Sequence, residues 1–426
     1  MVRFALRPFA LRFFARHSSV LASAVALAAV ATVVAPSAAG ADDTARPGSR
    51  VDVALEWYDV TAQTVATAGA PTQVTNSRTW AISWLAAARV LDDGPPDGVS
   101  RPDYQDAAVA GAVHTALTTL APARAGELDA ALRRTLDRVP DGPAEDLGLA
   151  AGRAEAESVL ADREGDGLDA ASVNAPYATP APAPGVWQPT PPAYGPALQA
   201  GNRSARPFLL DSPDQYRLPA PPPVGSARYE ADLAEVRAYG AADSTVRTAR
   251  QTETASFWYG SSLTLYTEPL RVALARSGES LPERAALVAL FHTASVDTQI
   301  ATSDSKYAYV TWRPVTALQA EGDTDWTPLH VTPSHPDYPS GHNTYSGAAE
   351  GILTALAGPR TAPFELTSTT APGVTRTYTT WRQLTQENVD ARVWSGIHTR
   401  TADTAGVRLG LQVAAHTLRH ADELLG

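Results

Sequence analysis

Lys306 is the only lysine in a chain with thirty-three arginines. An ammonium is a compact, strongly hydrated point charge, whereas a guanidinium is a wide planar fork. A position that keeps the first among so many of the second is a candidate for chemistry. Arg313 follows seven residues later, just before Pro314. Further on stand Pro339-Ser340-Gly341-His342, and then Arg392 and His398 with five residues between them. These three blocks offer three cations, one hydroxyl, one glycine amide and two imidazoles. Such an inventory suits a multiply charged tetrahedral or trigonal oxyanion. Singly, each block has a plainer reading. Lys306 and Arg313 fit solvated surface charges, Pro-Ser-Gly fits a turn, and Arg392 with His398 fits an ordinary helix end. Their combination is what points to a site.

The elements that must position these groups read as helices. Ser280-Leu281-Pro282-Glu283 is a helix start, with serine before proline and glutamate in the first turn. The helix it opens is predicted to reach about Ser303 and lead into the lysine block. Ser340 can cap a helix over Gly341–Leu356, which Gly358-Pro359 ends. A helix N-terminus is an anion site in its own right, and Gly341 permits close backbone approach. Thr401–Leu424 reads as a final amphipathic helix. Tyr229–Tyr239 and Thr248–Leu265 look amphipathic too. Upstream, Tyr104–Leu120, Glu127–Arg138 and Ala144–Ala161 have helical spacing of apolar residues, so a helical layer is expected from about Val51 to Ala161. No run of alternating β-branched residues stands out, and the expected class is all-α.

Residues 174–224 hold fourteen of the 34 prolines. They cannot carry helices or central strands. Trp187, Tyr194, Phe208, Leu209, Leu210 and Tyr216 are interspersed, more large apolar groups than a free linker carries. An ordered wrap over the helical body is expected, lining the mouth of the site. The predicted organisation is a signal peptide over 1–41, an N-terminal helical region over 42–173, the proline-rich segment over 174–224 and a catalytic region over 225–426.

The first of these segments has a basic start (Arg3, Arg7, Arg12, Arg16), an apolar run and a small-x-small end at Ala39 and Ala41. This is the pattern of a cleaved export signal, with a short membrane anchor as the alternative. The remaining chain has 30 basic and 45 acidic residues, a formal charge of -15 against -11 for the whole chain. That excess argues against nucleic acid as a partner, and no later stretch is apolar enough to place the mature form in a membrane. There is no cysteine, and the single methionine is Met1. A mature protein without sulfur suits contact with a strong oxidant, although biased codon usage would produce the same composition. Asp162-x-Glu164-x-Asp166-Gly167 faintly resembles a calcium loop, but its twelfth position is Val173, where a bidentate carboxylate is needed. It reads as an acidic loop.

Lys306-x6-Arg313-Pro314, Pro339-Ser340-Gly341-His342 and Arg392-x5-His398 together resemble the signature shared by vanadium-dependent haloperoxidases and type-2 phosphatidic acid phosphatases. Trp187-x-Pro189-Thr190-Pro191-Pro192, Pro207-Phe208, Tyr229 and the stretch from Arg247-Thr248 to Phe257-Trp258 resemble the upstream part of soluble bacterial haloperoxidase-like proteins. The resemblance implies two packed helical bundles with the site at one end of the second. It implies vanadate as cofactor, with phosphate able to take the same place. Lys306, Arg313 and Arg392 would surround the oxygens, and Ser340 and the Gly341 amide would add hydrogen bonds. His398 would bond the central atom, as vanadium ligand or as phosphate-accepting nucleophile, and His342 would serve as acid–base. Hydrogen peroxide, a halide and a small organic acceptor are the implied partners.

The resemblance also marks His335, five residues before Ser340, as a halide-tuning candidate. Fungal chloroperoxidases carry an aromatic hydrocarbon there and algal bromoperoxidases a histidine, so bromide and iodide are the expected halides. The chain departs from the pattern twice. Ala391 precedes the motif arginine where serine is frequent. Position 402 is alanine, where an aspartate commonly orients the last histidine, and Asp403 is one step late. The partner of His398 is therefore expected elsewhere, with a backbone carbonyl as one source. The function expected is a secreted vanadium-dependent haloperoxidase. A secreted acid phosphatase using the same pocket, or an oxyanion-binding protein without turnover, are the alternatives.

Overall fold

A computed structural model describes residues 51–426. The expected signal peptide lies outside them. The chain begins with α1 (Val53–Ala68), α2 (Gln73–Asp93), α3 (Arg101–Leu120), α4 (Ala125–Leu136) and α5 (Pro143–Asp162). A single turn, α6 (Ala170–Val173), precedes the proline-rich stretch. Then follow α7 (Ala227–Tyr239), α8 (Ala249–Phe257), α9 (Ser262–Arg276), α10 (Leu281–Tyr309), α11 (Pro314–Ala320) and α12 (Gly341–Ala357). A hairpin of β1 (Arg360–Thr367) and β2 (Thr375–Thr380) leads to α13 (Trp381–Trp394), α14 (Arg400–Arg419) and α15 (Ala421–Leu425).

The all-α expectation holds, with two packed bundles. In the first, α3 lies against α5 and α2, while α2 also runs along α10. In the second, α10, α13 and α14 pack around α12. The longest helix thus belongs to both. One continuous core joins them, from Trp57, Trp84 and Val113 through Leu290 to Ile352 and Leu384. α10 is started by the predicted box: the Ser280 amide donates to Glu283 Oε2 at 2.9 Å. It runs six residues past the expected end at Ser303, so Lys306 sits in its last turn.

Two expectations need correction. Thr248–Leu265 is not one helix but α8 and α9, broken at 258–261. Gly260 interrupts the run, and Ser261 stands at the N-cap of α9 with its hydroxyl donating to Gln73 Oε1 at 2.9 Å. The predicted final helix likewise ends at Arg419 before the short α15. The antiparallel hairpin was not anticipated. Its alternation is real but brief: Phe364 and Leu366 on β1, and Arg376 and Tyr378 on β2, face inward.

The proline-rich stretch is ordered, as expected. Asp297 of α10 is fully buried and accepts the amides of Phe208, Leu209 and Leu210 at 2.7, 2.8 and 3.1 Å. Such a cluster of aligned N–H groups holds a carboxylate well. Arg217 grips Asp304 with two bonds of 2.8 and 2.6 Å. The Trp187 amide donates to Val310 O at 2.7 Å, and the Trp312 amide to Gly185 O at 2.9 Å. The acidic loop is structural: Asp166 takes Arg78 Nε at 2.7 Å and Arg163 Nε at 3.1 Å. Among the described residues no helix is long and apolar enough to cross a membrane.

Candidate active site

The three motif blocks converge where α10 ends and α12 and α14 begin. Backbone bonds tie them together. The Asp337 amide donates to Thr311 O at 2.9 Å, and the Ser340 amide to Ala402 O at 3.0 Å. Lys306 ends α10, Arg313 is the N-cap of α11, Ser340 is the N-cap of α12, and Arg392 lies in the last turn of α13. His398 sits in the short link from α13 to α14.

All three cations are buried, with relative exposures of 3% for Lys306, 0% for Arg313 and 1% for Arg392. Lys306 Nζ donates to Pro336 O at 2.5 Å and Asp337 O at 3.1 Å. Arg313 donates from Nε to His335 O at 2.7 Å, from Nη1 to Ile397 O at 2.6 Å and from Nη2 to His335 Nδ1 at 3.0 Å. Arg392 donates from Nη1 to Trp258 O at 3.1 Å, and its buried Nε has no hydrogen-bond partner. Burial, then the Arg313 charge, pushes the Lys306 ammonium well below its ordinary value. Burial pulls the guanidinium values of Arg313 and Arg392 down to about 10.

Carboxylates do not balance this charge. Asp337 Oδ1 is 3.9 Å from Arg313 Nη1, and burial raises the Asp337 carboxyl to about 6 against the pull of Arg313 and Lys306. Burial raises Asp403 well above the usual range. Burying cations without full compensation costs several kcal/mol each, roughly. A multiply charged anion in their midst would offset that cost and take up the idle Arg392 Nε–H. Gly341 fits the same picture. A methyl added there would meet only Thr302 Cγ2, at 4.0 Å, so the protein's own packing does not require glycine. The first amides of α12 face no intrahelical acceptor. The donor set therefore fits vanadate or phosphate.

The imidazoles are neutral for the same reason that the cations are strained. Burial, followed by Arg313, Lys306 and Arg392, holds His398 well below its ordinary pKa. Its Nδ1 lies 2.6 Å from Asp337 Oδ1 and its Nε2 lies 3.1 Å from Arg313 Nη1. A carboxylate beside Nδ1 fixes the proton there and leaves the lone pair on Nε2. His342 Nε2 donates to Gly260 O at 2.9 Å, which leaves Nδ1 as the acceptor. Burial and Arg392 hold His342 well below its ordinary pKa as well. His335 is brought to the cage by its Nδ1, which accepts from Arg313.

The structure places all eight predicted residues together: Lys306, Arg313, His335, Ser340, Gly341, His342, Arg392 and His398. It also shows what the sequence did not. The partner of His398 is not a backbone carbonyl but Asp337. Asp403, one residue past the expected position on α14, is turned about 100° away on the helix, and accepts from Asn343 Nδ2 at 2.7 Å instead. The break between α8 and α9 is part of the site. Its carbonyls Trp258 O and Gly260 O are free to hold Arg392 and His342; in a continuous helix, amides four residues on would occupy them. Gly260-Ser261-Ser262 carried the signal of that break, a glycine followed by capping serines. His330 is stacked on Tyr259 at 4.5 Å and bonded to Ser395 Oγ at 3.0 Å, and the Tyr259 ring lies 6.0 Å from the Arg392 guanidinium.

The VCPO second helical-bundle domain family matches residues 286–426. No curated protein matches the sequence. Among solved structures, the first bacterial vanadium-dependent iodoperoxidase superposes with a TM-score of 0.74 at 23% identity, covering 87% of this chain and 97% of the other. The apo form of a bacterial vanadium-dependent chloroperoxidase superposes at 0.70 with 15% identity, covering 86% and 98%. A holo form superposes at 0.64 with 15% identity, covering 87% and 93%. These similarities cover most of the chain rather than stopping at the motif blocks. The chain therefore has the fold of the bacterial vanadium-dependent haloperoxidases, and its residues 286–426 match the VCPO second helical-bundle domain.

Proposed function

We propose that this protein is an exported vanadium-dependent haloperoxidase that oxidises halide with hydrogen peroxide. One observation carries the reading: three buried cations, one with an idle donor, surround the start of α12 beside a neutral histidine whose lone pair lies on Nε2. Lys306, Arg313 and Arg392 would hold the oxygens of vanadate, Ser340 and the Gly341 amide would add hydrogen bonds, and His398 Nε2 would be the protein ligand. Bound vanadate supplies a Lewis acid that keeps its oxidation state. His342 Nδ1 takes a proton from incoming peroxide, since Nε2 is committed to Gly260 O. Lys306, its Nζ seated on Pro336 O and Asp337 O, would withdraw charge from the bound oxygens. Halide, peroxide and a proton then give hypohalous acid and water, which a small organic acceptor consumes.

Halide choice is assigned to His335. Its Nδ1 accepts from Arg313 at 3.0 Å, so through that cation it would act on the oxygens that Arg313 would hold. Chloride is harder to oxidise than bromide or iodide, so the latter two are the proposed substrates. A phosphatase reading of the same pocket is favoured by one observation. The Asp337–His398 pair is the arrangement that a phosphate-accepting histidine needs. The test is direct: purify the protein, load it with orthovanadate, and assay peroxide with bromide beside a phosphate ester. Halide oxidation that depends on vanadate is the expected result. Ester hydrolysis without halide oxidation would replace the first reading with the second.

A further inference from the structure

Residues 335–337 lie just before the Pro339-Ser340-Gly341-His342 block and bond to the other two. Through this tripeptide run bonds to three of the charged or ligating groups. His335 O and Nδ1 accept from Arg313 at 2.7 and 3.0 Å. Pro336 O and Asp337 O accept from Lys306 at 2.5 and 3.1 Å. The Asp337 carboxylate is then fixed at both oxygens, Oδ1 by His398 Nδ1 at 2.6 Å and Oδ2 by the Thr399 hydroxyl at 2.8 Å. Its amide is anchored on Thr311 O. Asp337 and His398 are 1% exposed or less. A carboxylate this constrained has one orientation to offer the imidazole.

We infer that Asp337 is the positioning residue of the site: it replaces the aspartate missing at Ala402 and fixes His398 in the tautomer that presents Nε2 to the oxyanion. The inference rests on reading His398 as the group that bonds the central atom. The carboxylate accepts the Nδ1 proton, so the ring cannot present an N–H from Nε2. The ring plane is set by the same bond. The loop that donates the carboxylate also seats Lys306 and Arg313, so cage and ligand are aligned by one piece of backbone.

Two measurements on the full-length protein test this. In the unloaded wild type with 15N-labelled histidine, His398 is assigned by loss of its signals in His398→Gln. A protonated Nδ1 and a bare Nε2 are expected; a proton on Nε2 overturns the assignment, with no variant of Asp337 required. In Asp337→Ala, vanadate and inorganic phosphate affinities are compared by ultrafiltration. Vanadate, bonded to nitrogen, is expected to bind about 10- to 100-fold more weakly. Phosphate, held by the cations alone, is expected to bind as well or better, because the cage loses a negative charge. Parallel losses for both anions indicate general damage to the pocket and overturn the positioning role, as does an unchanged vanadate affinity. A wild type that retains no vanadate would sink the vanadium reading instead, while the tautomer measurement still decides the placement of the ring.

Discussion

Two buried histidines, one within α10 and one beyond its C-terminal end, could hardly be used more differently. His292, toward the start of the helix, is stacked on Trp80 of α2 with ring centroids 4.6 Å apart. Neither of its ring nitrogens has a hydrogen-bond partner. Burial alone lowers its pKa to about 3. His398, beyond the far end, is equally buried and equally neutral, but Asp337 holds one nitrogen and Arg313 faces the other. Desolvation makes both rings neutral. Only the second is held in one tautomer and orientation beside cations, and that distinguishes the proposed ligand from a core residue.

The sharpest way to break the comparison is to remove the ligand. His398→Ala is expected to weaken vanadate binding by at least about 100-fold, read as vanadium per chain after gel filtration. His342→Ala should keep the vanadium and lose about 10²- to 10⁴-fold in kcat, the range for a lost acid–base group. If the His398 variant still carries one vanadium per chain, the two histidines have been assigned wrongly.

Lys306→Ala should reduce kcat for bromide by about 10²- to 10³-fold, as for a lost transition-state donor. Lys306→Arg should not restore it. The ammonium reaches two carbonyls, Pro336 O and Asp337 O, from the last turn of a packed helix, and a planar fork does not fit between them. Turnover like wild type in the arginine variant would show that the lone lysine is an accident of composition.

A smaller effect is expected from His335→Phe. The ratio of chloride to bromide turnover at fixed pH should rise a few-fold as the imidazole is withdrawn from the cage. Equal chloride and bromide rates in the unmodified protein, or an unmoved ratio in the variant, would remove the tuning role.

The smallest effect belongs to His292. Phenylalanine keeps the stack on Trp80 and removes two unpartnered nitrogens, so His292→Phe should leave vanadate binding untouched and change stability at pH 7 by no more than about 1 kcal/mol. Acid stability is where it should show. The folded-state pKa is depressed from 6.5 to about 3, so the contribution of the neutral ring is complete above 6.5 and is lost as pH falls toward 3. The variant should flatten that limb by about 1.4 kcal/mol per pH unit, one proton's worth, in urea melts between pH 6 and 4. An acid limb of unchanged slope would mean that His292 is partnered in solution.

These outcomes also bear on what the sequence could reveal. Lys306, Arg313, Ser340-Gly341-His342, Arg392 and His398 were legible because each block's internal spacing is set by local geometry, a helix end or a helix start. Asp337 was not recognised, although it lies only three residues before Ser340. Its partner is 61 residues downstream, and nothing local distinguishes a carboxylate aimed at an imidazole from one in a turn. The α8–α9 break was marked locally by Gly260-Ser261-Ser262 alone, and that signal was outweighed. Apolar spacing continues across it, and the gain from breaking the helix, two carbonyls for Arg392 and His342, exists only in the folded molecule. The short hairpin escaped because two strands offer too few alternating positions to stand out. The wrap was legible in outline through its buried aromatics, but its anchor Asp297 was not, since an aspartate within a helix reads as surface.

α10 has 29 residues, about 43 Å of helix, with no glycine and no proline beyond its first turn. The superfamily domain matched in this chain begins at residue 286, inside that helix. A border drawn there would cut away the Ser280–Glu283 start and expose the side that carries His292, Ser295 and Gln299, which meets Trp80 and Ser77 of α2. The anion cage is therefore not a cassette that can be excised or exchanged at the homology border. A chimera between relatives has to move α2, α10 and the proline-rich wrap as one piece, or the lysine at the end of the helix arrives without the scaffold that aims it.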